Sequence, residues 1–87
     1  MNFIKEPNRI YLPDETGKTI AEITFQEIEK GTFNIDHTFV DESLRGQGIA
    51  SKLVEEAVKE IEEKGGKIQA TCSYAKKWIE ERKKWAK

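Results

Sequence analysis

Apolar and polar residues alternate along two long stretches in the first half of the chain. Between Thr19 and Glu29 the alternation places Ala21, Ile23 and Phe25 on one side, and residues 32–40 alternate in the same way. A period of two is typical of β-strands that have one buried face. We therefore predict two extended strands in this half of the chain.

A third, shorter strand is predicted ahead of these two, from Arg9 to Leu12, after a leader that we expect to be loose. Two segments rich in turn-forming residues separate the three strands, namely residues 13–18 and the dipeptide Lys30-Gly31. Consecutive strands that are joined by tight turns predict an antiparallel meander.

The second half of the chain has the periodicity of helices. One face of a helix over residues 48–64 would carry the apolar residues, which are Ala50, Leu53, Val54, Ala57, Val58 and Ile61. Gly65-Gly66 is a typical helix stop. A fourth strand is predicted from Lys67 to Thr71, with Ser73 as N-cap of a final helix. The strand–helix–strand order predicts a right-handed crossover with the third and fourth strands parallel. The fold class is therefore α/β, with about four strands and two helices.

Composition restricts the function. We expect a single domain over residues 1–87, because 87 residues leave no room for a second core. With 15 basic and 16 acidic residues and a formal net charge of −1, the chain does not have the composition of a general nucleic-acid binder. The sequence shows no signal peptide and no apolar run long enough for a bilayer, and its one cysteine cannot form an internal disulfide. We expect a cytoplasmic protein without membrane contact, in which homodimerisation could add stability.

The hexapeptide Arg45-Gly46-Gln47-Gly48-Ile49-Ala50 lies between the third strand and the long helix. A helix start leaves backbone N–H groups without helical partners, and the positive end of the helix dipole adds to them, so such a loop suits a pyrophosphate. Arg45 would add a fixed charge, and Ser51 and Lys52 a hydroxyl and a second charge. The alternatives are an exposed Arg45, a solvated Ser51 and Lys52, and a turn without a ligand.

This hexapeptide resembles the Arg/Gln-x-x-Gly-x-Gly/Ala signature of the GCN5-related N-acetyltransferases, with Arg45, Gly48 and Ala50 at its three defining positions. The resemblance implies a minimal form of that fold, with acetyl-CoA or coenzyme A as cosubstrate bound through this loop. The chain lacks the N-terminal helices and later strands that normally build the acceptor groove of that superfamily.

Two further segments resemble the very short acetyltransferase-like proteins of the same superfamily. They are Ile35-Asp36-His37-Thr38 and Ala70-Thr71-Cys72-Ser73-Tyr74-Ala75, with Trp78 nearby, and the likeness covers roughly residues 10–80. The resemblance implies that Cys72 and His37 are the active-site residues, and that Tyr74 protonates the departing coenzyme A. Tyr74 and Trp78 could instead pack the last helix on the sheet.

The predicted topology independently brings Cys72 and His37 to one edge of the sheet, since parallel strands end at the same side and ligands bind there. Cys72 also precedes a helix start, which favours a thiolate. Alternation places His37 on the face of Phe33, Ile35 and Phe39, and directs Asp36 to the other face. The alternatives are a buried structural cysteine and a hydrogen-bonded core histidine. One cysteine and one histidine are too few for a zinc site.

These observations favour an enzyme that transfers acetyl from acetyl-CoA to an amine, either through Cys72 or directly. The acceptor, a small amine or a protein amine, is not readable from the sequence. A non-catalytic acyl-CoA-binding or partner-docking module is the main alternative. A structural domain whose glycine loop binds nothing is the third.

Overall fold

The computed structural model describes the backbone of residues 3–85 and the side chains of residues 3–82. It contains a five-stranded sheet in the order β1-β2-β3-β4-β5 and two helices. The elements are β1 (Ile4–Glu6), β2 (Arg9–Pro13), β3 (Thr19–Glu29), β4 (Thr32–Val40), α1 (Ile49–Glu63), β5 (Lys67–Ala70) and α2 (Ser73–Trp85). A short 3₁₀ turn, Glu42–Leu44, connects β4 to the loop before α1.

The predicted meander and the predicted parallel pair are both confirmed. Strands β2, β3 and β4 are antiparallel neighbours, and β4 is parallel to β5 with Phe33 opposite Ile68 and Ile35 opposite Ala70. Strand β4 then continues through residues 36–40, beyond the last residue of β5. In the described part of the chain, this end of β4 therefore has a strand neighbour on one side only.

The expectation of a loose leader is wrong. Residues Ile4–Glu6 form β1, which pairs antiparallel with β2 across a turn at Pro7-Asn8. A strand of three residues is too short to show a period of two, so alternation could not reveal it. Its stability comes from pairing with β2 and from Lys5, which contacts Glu56 and Glu60 of α1 at 3.0 and 3.5 Å.

A β-bulge in β4 overturns the predicted face of His37. Thr24 pairs with His37 and the next residue, Phe25, pairs with Ile35, so Asp36 is an extra residue. A bulge shifts every later side chain by one position relative to simple alternation. His37 therefore lies on the same face as Thr24 and is exposed, not on the face of buried Phe33 and Ile35.

Helix α1 packs its apolar stripe across one face of the sheet. The buried residues are Ile49, Leu53, Val54, Ala57, Val58 and Ile61. Ile49 thus takes the place that was predicted for Ala50, which is half-buried, because the helix begins at Ile49 and Ile49 lies one turn before Leu53. The C-terminus is a Schellman motif, in which Gly65 N–H donates to Glu62 O and Gly66 N–H to Ile61 O, both at 2.9 Å.

The core lies between the sheet and the two helices. Helix α2 contributes Ala75, which is fully buried, together with the half-buried Trp78 and Ile79. The other face of the sheet, which we call the outer face, has no helix over it among the described residues. Neither α1 nor α2 has the length and apolar character needed to cross a bilayer.

Candidate functional site

The loop before α1 ends in a left-handed glycine. Gly48 is the N-cap of α1 with φ 71° and ψ 19°, and Gly46 also has a positive φ of 84°. The first helical hydrogen bond runs from Lys52 N–H to Gly48 O at 3.1 Å. The N–H groups of Ile49, Ala50 and Ser51 precede it, and no side chain among the described residues caps this helix start. These donors are available to an anion.

A shallow pocket of about 250 Å³ lies at this helix start. It is lined by the end of β4, the 3₁₀ turn and the loop, through Val40, Leu44, Arg45, Gly46, Gly48, Ile49 and Ala50. Arg45 is exposed and forms no ion pair with any residue whose side chain is described. Its guanidinium is therefore available to bind an anion in the pocket. Gln47, in the same loop, is also exposed.

The side chains of Ile49 and Ser51 are engaged elsewhere in the fold. The Ile49 side chain is only 2% exposed, so this residue presents its backbone N–H alone. The Ser51 hydroxyl accepts a hydrogen bond from Trp78 Nε1 at 2.9 Å, which joins the first turn of α1 to α2. Lys52 is exposed on the same turn.

Cys72 lies at the start of α2, beside residues 36–40 of β4. We call this segment, which has a strand neighbour on one side only within residues 3–85, the free end of β4. Its carbonyl accepts the first helical hydrogen bond, from Lys76 N–H at 2.9 Å. Cys72 therefore occupies the capping position that was predicted for Ser73, and Ser73 is the first residue of the helix. Thr71 N–H and Cys72 N–H both donate to Ile35 O, at 3.1 and 3.2 Å, and this fixes the cysteine at the point where β4 and β5 separate.

The Cys72 sulfur lies among hydrogen-bond donors. Its Sγ is 3.5 Å from Thr38 Oγ1, and the thiol is half-buried. Burial raises the pKa of the Cys72 thiol, but the backbone N–H of Ala75, the Thr38 hydroxyl and the N–H groups of Tyr74 and Thr38 outweigh it. The net pKa is below the ordinary value. A helix start acts on a thiol in this direction.

Thr38 is the residue that the sequence interpretation missed. It pairs with the buried Ile23, so it faces the helices, whereas His37 faces outward. Simple alternation carried from Phe33 gives the opposite assignment, and the change comes from the bulge at Asp36. The structure therefore brings Cys72 together with Thr38 and places His37 on the other face of β4.

Tyr74 and Trp78 have different environments. Tyr74 is 42% exposed at the first turn of α2, so its side chain does not pack the helix on the sheet. Trp78 is half-buried against the core, as the packing interpretation predicts. Among the described residues no three His, Cys, Asp or Glu side chains are grouped as metal ligands.

Comparison with known proteins identifies the family. Residues 9–87 match the family described as GCN5-related N-acetyl-transferase. Protein NATD1 of Xenopus tropicalis is 33% identical over 61 residues, which are 70% of this chain and 56% of the frog protein.

Solved structures agree with this match. A GCN5-like protein from Staphylococcus aureus has a TM-score of 0.79 and 34% identity, over 98% of this chain and 83% of its own. A GNAT family N-acetyltransferase from Escherichia coli, solved in complex with CoA, has a TM-score of 0.58 and 28% identity, over 67% of this chain and 35% of its own. Coenzyme A or acetyl-CoA is the cosubstrate that fits such a protein. The chain belongs to the GCN5-related N-acetyltransferase family.

Proposed function

We propose that the protein binds acetyl-CoA and transfers the acetyl group to an amine. The observation that carries this proposal is the continuity of three features: the uncapped start of α1, the free end of β4, and the sulfur of Cys72. Each feature suits one part of the coenzyme, and they follow one another in the order that an extended acyl-CoA requires.

The coenzyme pyrophosphate would accept hydrogen bonds from the loop and first helical turn, with Gly46, Gly48, Ile49, Ala50 and Ser51 as backbone donors. Arg45 would neutralise part of its charge. The N–H of Gln47, in the same loop, donates to Leu44 O at 3.3 Å. The pantetheine arm is extended and carries two amides, and residues 36–40 of β4 offer the unpaired edge of a strand to such a chain. An arm lying along this edge would bring the thioester toward Cys72.

At the thioester, the Cys72 thiolate would attack the acetyl carbonyl carbon. A bond forms from Cys72 Sγ to the acetyl carbon, and the bond from that carbon to the coenzyme sulfur breaks. Tyr74 donates a proton to the departing coenzyme sulfur and recovers one from water. The acceptor ammonium loses one proton to His37, and the neutral amine attacks the carbonyl carbon of acetyl-Cys72. The bond from that carbon to Cys72 Sγ breaks, which restores the thiolate, and the second proton of the nitrogen passes to water as the amide forms. The position of His37 on the outer face supports a role toward the acceptor, not toward the thiol.

Titration of ¹⁵N-labelled protein with coenzyme A tests the binding step. Amide shifts should be largest from Arg45 to Lys52 and along residues 36–40. Gly48→Ala and Gly17→Ala form a matched pair, because both glycines have positive φ (71° and 89°) and open space at the Cβ position. Each substitution should cost about 1 kcal/mol of stability through strain, but only Gly48→Ala should weaken coenzyme binding. If the largest amide shifts lie in the β2–β3 turn, or if the two variants have equal coenzyme affinities, the loop before α1 does not bind the pyrophosphate.

Intact mass spectrometry tests the chemical step. After incubation with acetyl-CoA, the protein should gain one acetyl group on Cys72, and an added amine should remove it. Cys72→Ala should bind coenzyme A normally and transfer no acetyl group, and Cys72→Ser should have little activity because a hydroxyl ionises far less readily. If Cys72→Ala has full transfer activity, the amine attacks acetyl-CoA directly. If the wild-type protein binds coenzyme A normally but transfers acetyl to no amine, the protein is a non-catalytic acyl-CoA-binding module.

A further inference from the structure

The outer face of the sheet has an unbalanced set of charges. Glu6, Arg9 and Glu22 form one ion-pair group, in which Arg9 contacts both carboxylates and also stacks 3.8 Å above the ring of Tyr11. Asp36 lies on the same face and forms no ion pair with any residue in the range 3–82. Lys67 is a further cation of this face, opposite Thr32 at the far end of the β4–β5 pair. The negative charge of Asp36 is therefore not compensated by an ion pair within residues 3–82.

Asp36 is held in a fixed orientation. Its Oδ1 accepts a hydrogen bond from Thr24 Oγ1 at 2.6 Å, and its Oδ2 accepts one from Gln26 Nε2 at 3.2 Å. A carboxylate has about four acceptor sites, so roughly two remain open. Thr24 is also the residue directly opposite His37, and opposite residues in an antiparallel pair are close neighbours. The bulge thus groups a fixed carboxylate and an exposed imidazole.

Asn34 extends this polar group toward the gap between β4 and β5. Its Nδ2 donates to Thr71 Oγ1 at 3.1 Å. Its Oδ1 is buried and has no hydrogen-bond partner among the described side chains and backbone groups. A buried oxygen without a hydrogen-bond donor carries a desolvation penalty, which a donor bound nearby would remove. On the other side of His37, Phe39 is 40% exposed and offers an apolar surface.

We propose that this part of the outer face binds the acceptor as a primary alkylammonium group. Asp36 holds the ammonium through its open acceptor sites, Phe39 contacts the alkyl chain, and His37 stands beside the nitrogen whose proton must be removed. An ammonium has three N–H donors, which matches the surplus of acceptors on this face. The assignment of the bound amine as the acyl acceptor rests on the proposed acetyl transfer, but the amine-binding site itself does not.

The test measures amine binding without coenzyme. ¹⁵N-labelled protein is titrated at constant ionic strength with 1,4-diaminobutane, with a lysine tripeptide blocked at both ends, and with butan-1-ol as the uncharged analogue. We expect shifts at residues 34–39 and at the Gln26 side-chain amide with at least one of the amines and none with the alcohol. Binding of the diamine alone assigns the site to small amines, and binding of the peptide assigns it to protein lysines.

Asp36→Asn and Glu29→Gln form the matched pair of variants, because both remove one exposed carboxylate from the β3–β4 hairpin. Loss of a charge-assisted hydrogen bond should weaken amine binding about tenfold in Asp36→Asn, whereas Glu29→Gln should bind the amine normally. Equal affinities in the two variants, shifts outside residues 34–39, or an alcohol that binds like the amines would overturn the proposal. The alcohol comparison uses the wild-type protein, so it is decisive even if Asp36→Asn does not fold.

Discussion

At the scale of single residues, the character of Cys72 is determined by neutral donors and not by a second titratable group. The backbone N–H groups of Ala75, Tyr74 and Thr38 and the Thr38 hydroxyl lower its pKa against the effect of burial. Such donors stabilise the thiolate more than the thiol, and they leave no charge that a bound coenzyme would have to displace. The proposed reactivity of Cys72 therefore does not require a charged partner.

Thr38→Val should raise the pKa of Cys72, because valine keeps the volume of threonine but removes the hydroxyl that stabilises the thiolate. The rate of alkylation by iodoacetamide, measured against pH, gives the midpoint. The wild-type midpoint should lie below that of glutathione, and the variant midpoint should lie above the wild-type one. Thr32→Val, at the opposite end of β4, is the control and should have the wild-type midpoint. A Thr38→Val midpoint equal to the wild-type value would exclude a role for this hydroxyl.

The same residues mark the limit of prediction from sequence. Cys72 could be placed at a helix start because a strand and a helix meet there in the pattern. The neighbour of its sulfur could not be predicted, because one bulge residue, Asp36, exchanges the faces of His37 and Thr38. This bulge contains no glycine, and the pattern of apolar and polar residues along β4 does not indicate where the extra residue lies.

At the scale of secondary structure elements, length decides what the pattern reveals. The fifteen residues of α1 contain four turns of apolar periodicity and a glycine stop, and the helix was predicted to within one residue at each end. The three residues of β1 contain no complete period. Helix α1 also covers β2, β3, β4 and β5, so its stripe contributes a large part of the core.

Leu53→Ala should reduce the free energy of unfolding by about 2–5 kcal/mol, since the Leu53 side chain is fully buried and its loss leaves a cavity. Urea unfolding followed by circular dichroism measures this change. Glu63→Ala, at an exposed position of the same helix, is the control and should change stability by no more than about 0.5 kcal/mol. A Leu53→Ala effect as small as that of the control would mean that α1 is not packed on the sheet as described.

At the scale of the whole molecule, helices α1 and α2 cover one face of the sheet, whereas no helix in residues 3–85 covers the other face. Residues 36–40 of β4 contribute side chains to both faces. The loop at Gly48 and the sulfur of Cys72 lie on the helix side, and Asp36 and His37 lie on the outer side. Under the proposals above, this arrangement gives a sheet of five strands two binding surfaces.

The bulge in β4 also has a kinetic consequence. In the two proposals, coenzyme and amine approach one strand from opposite faces, so neither has to leave before the other can bind. Free coenzyme A should therefore inhibit competitively against acetyl-CoA and non-competitively against the amine. This inhibition pattern should hold whether double-reciprocal plots of initial rates are parallel, as transfer through Cys72 requires, or intersect, as direct transfer requires. Competition between free coenzyme A and the amine would show instead that both ligands occupy one space in turn.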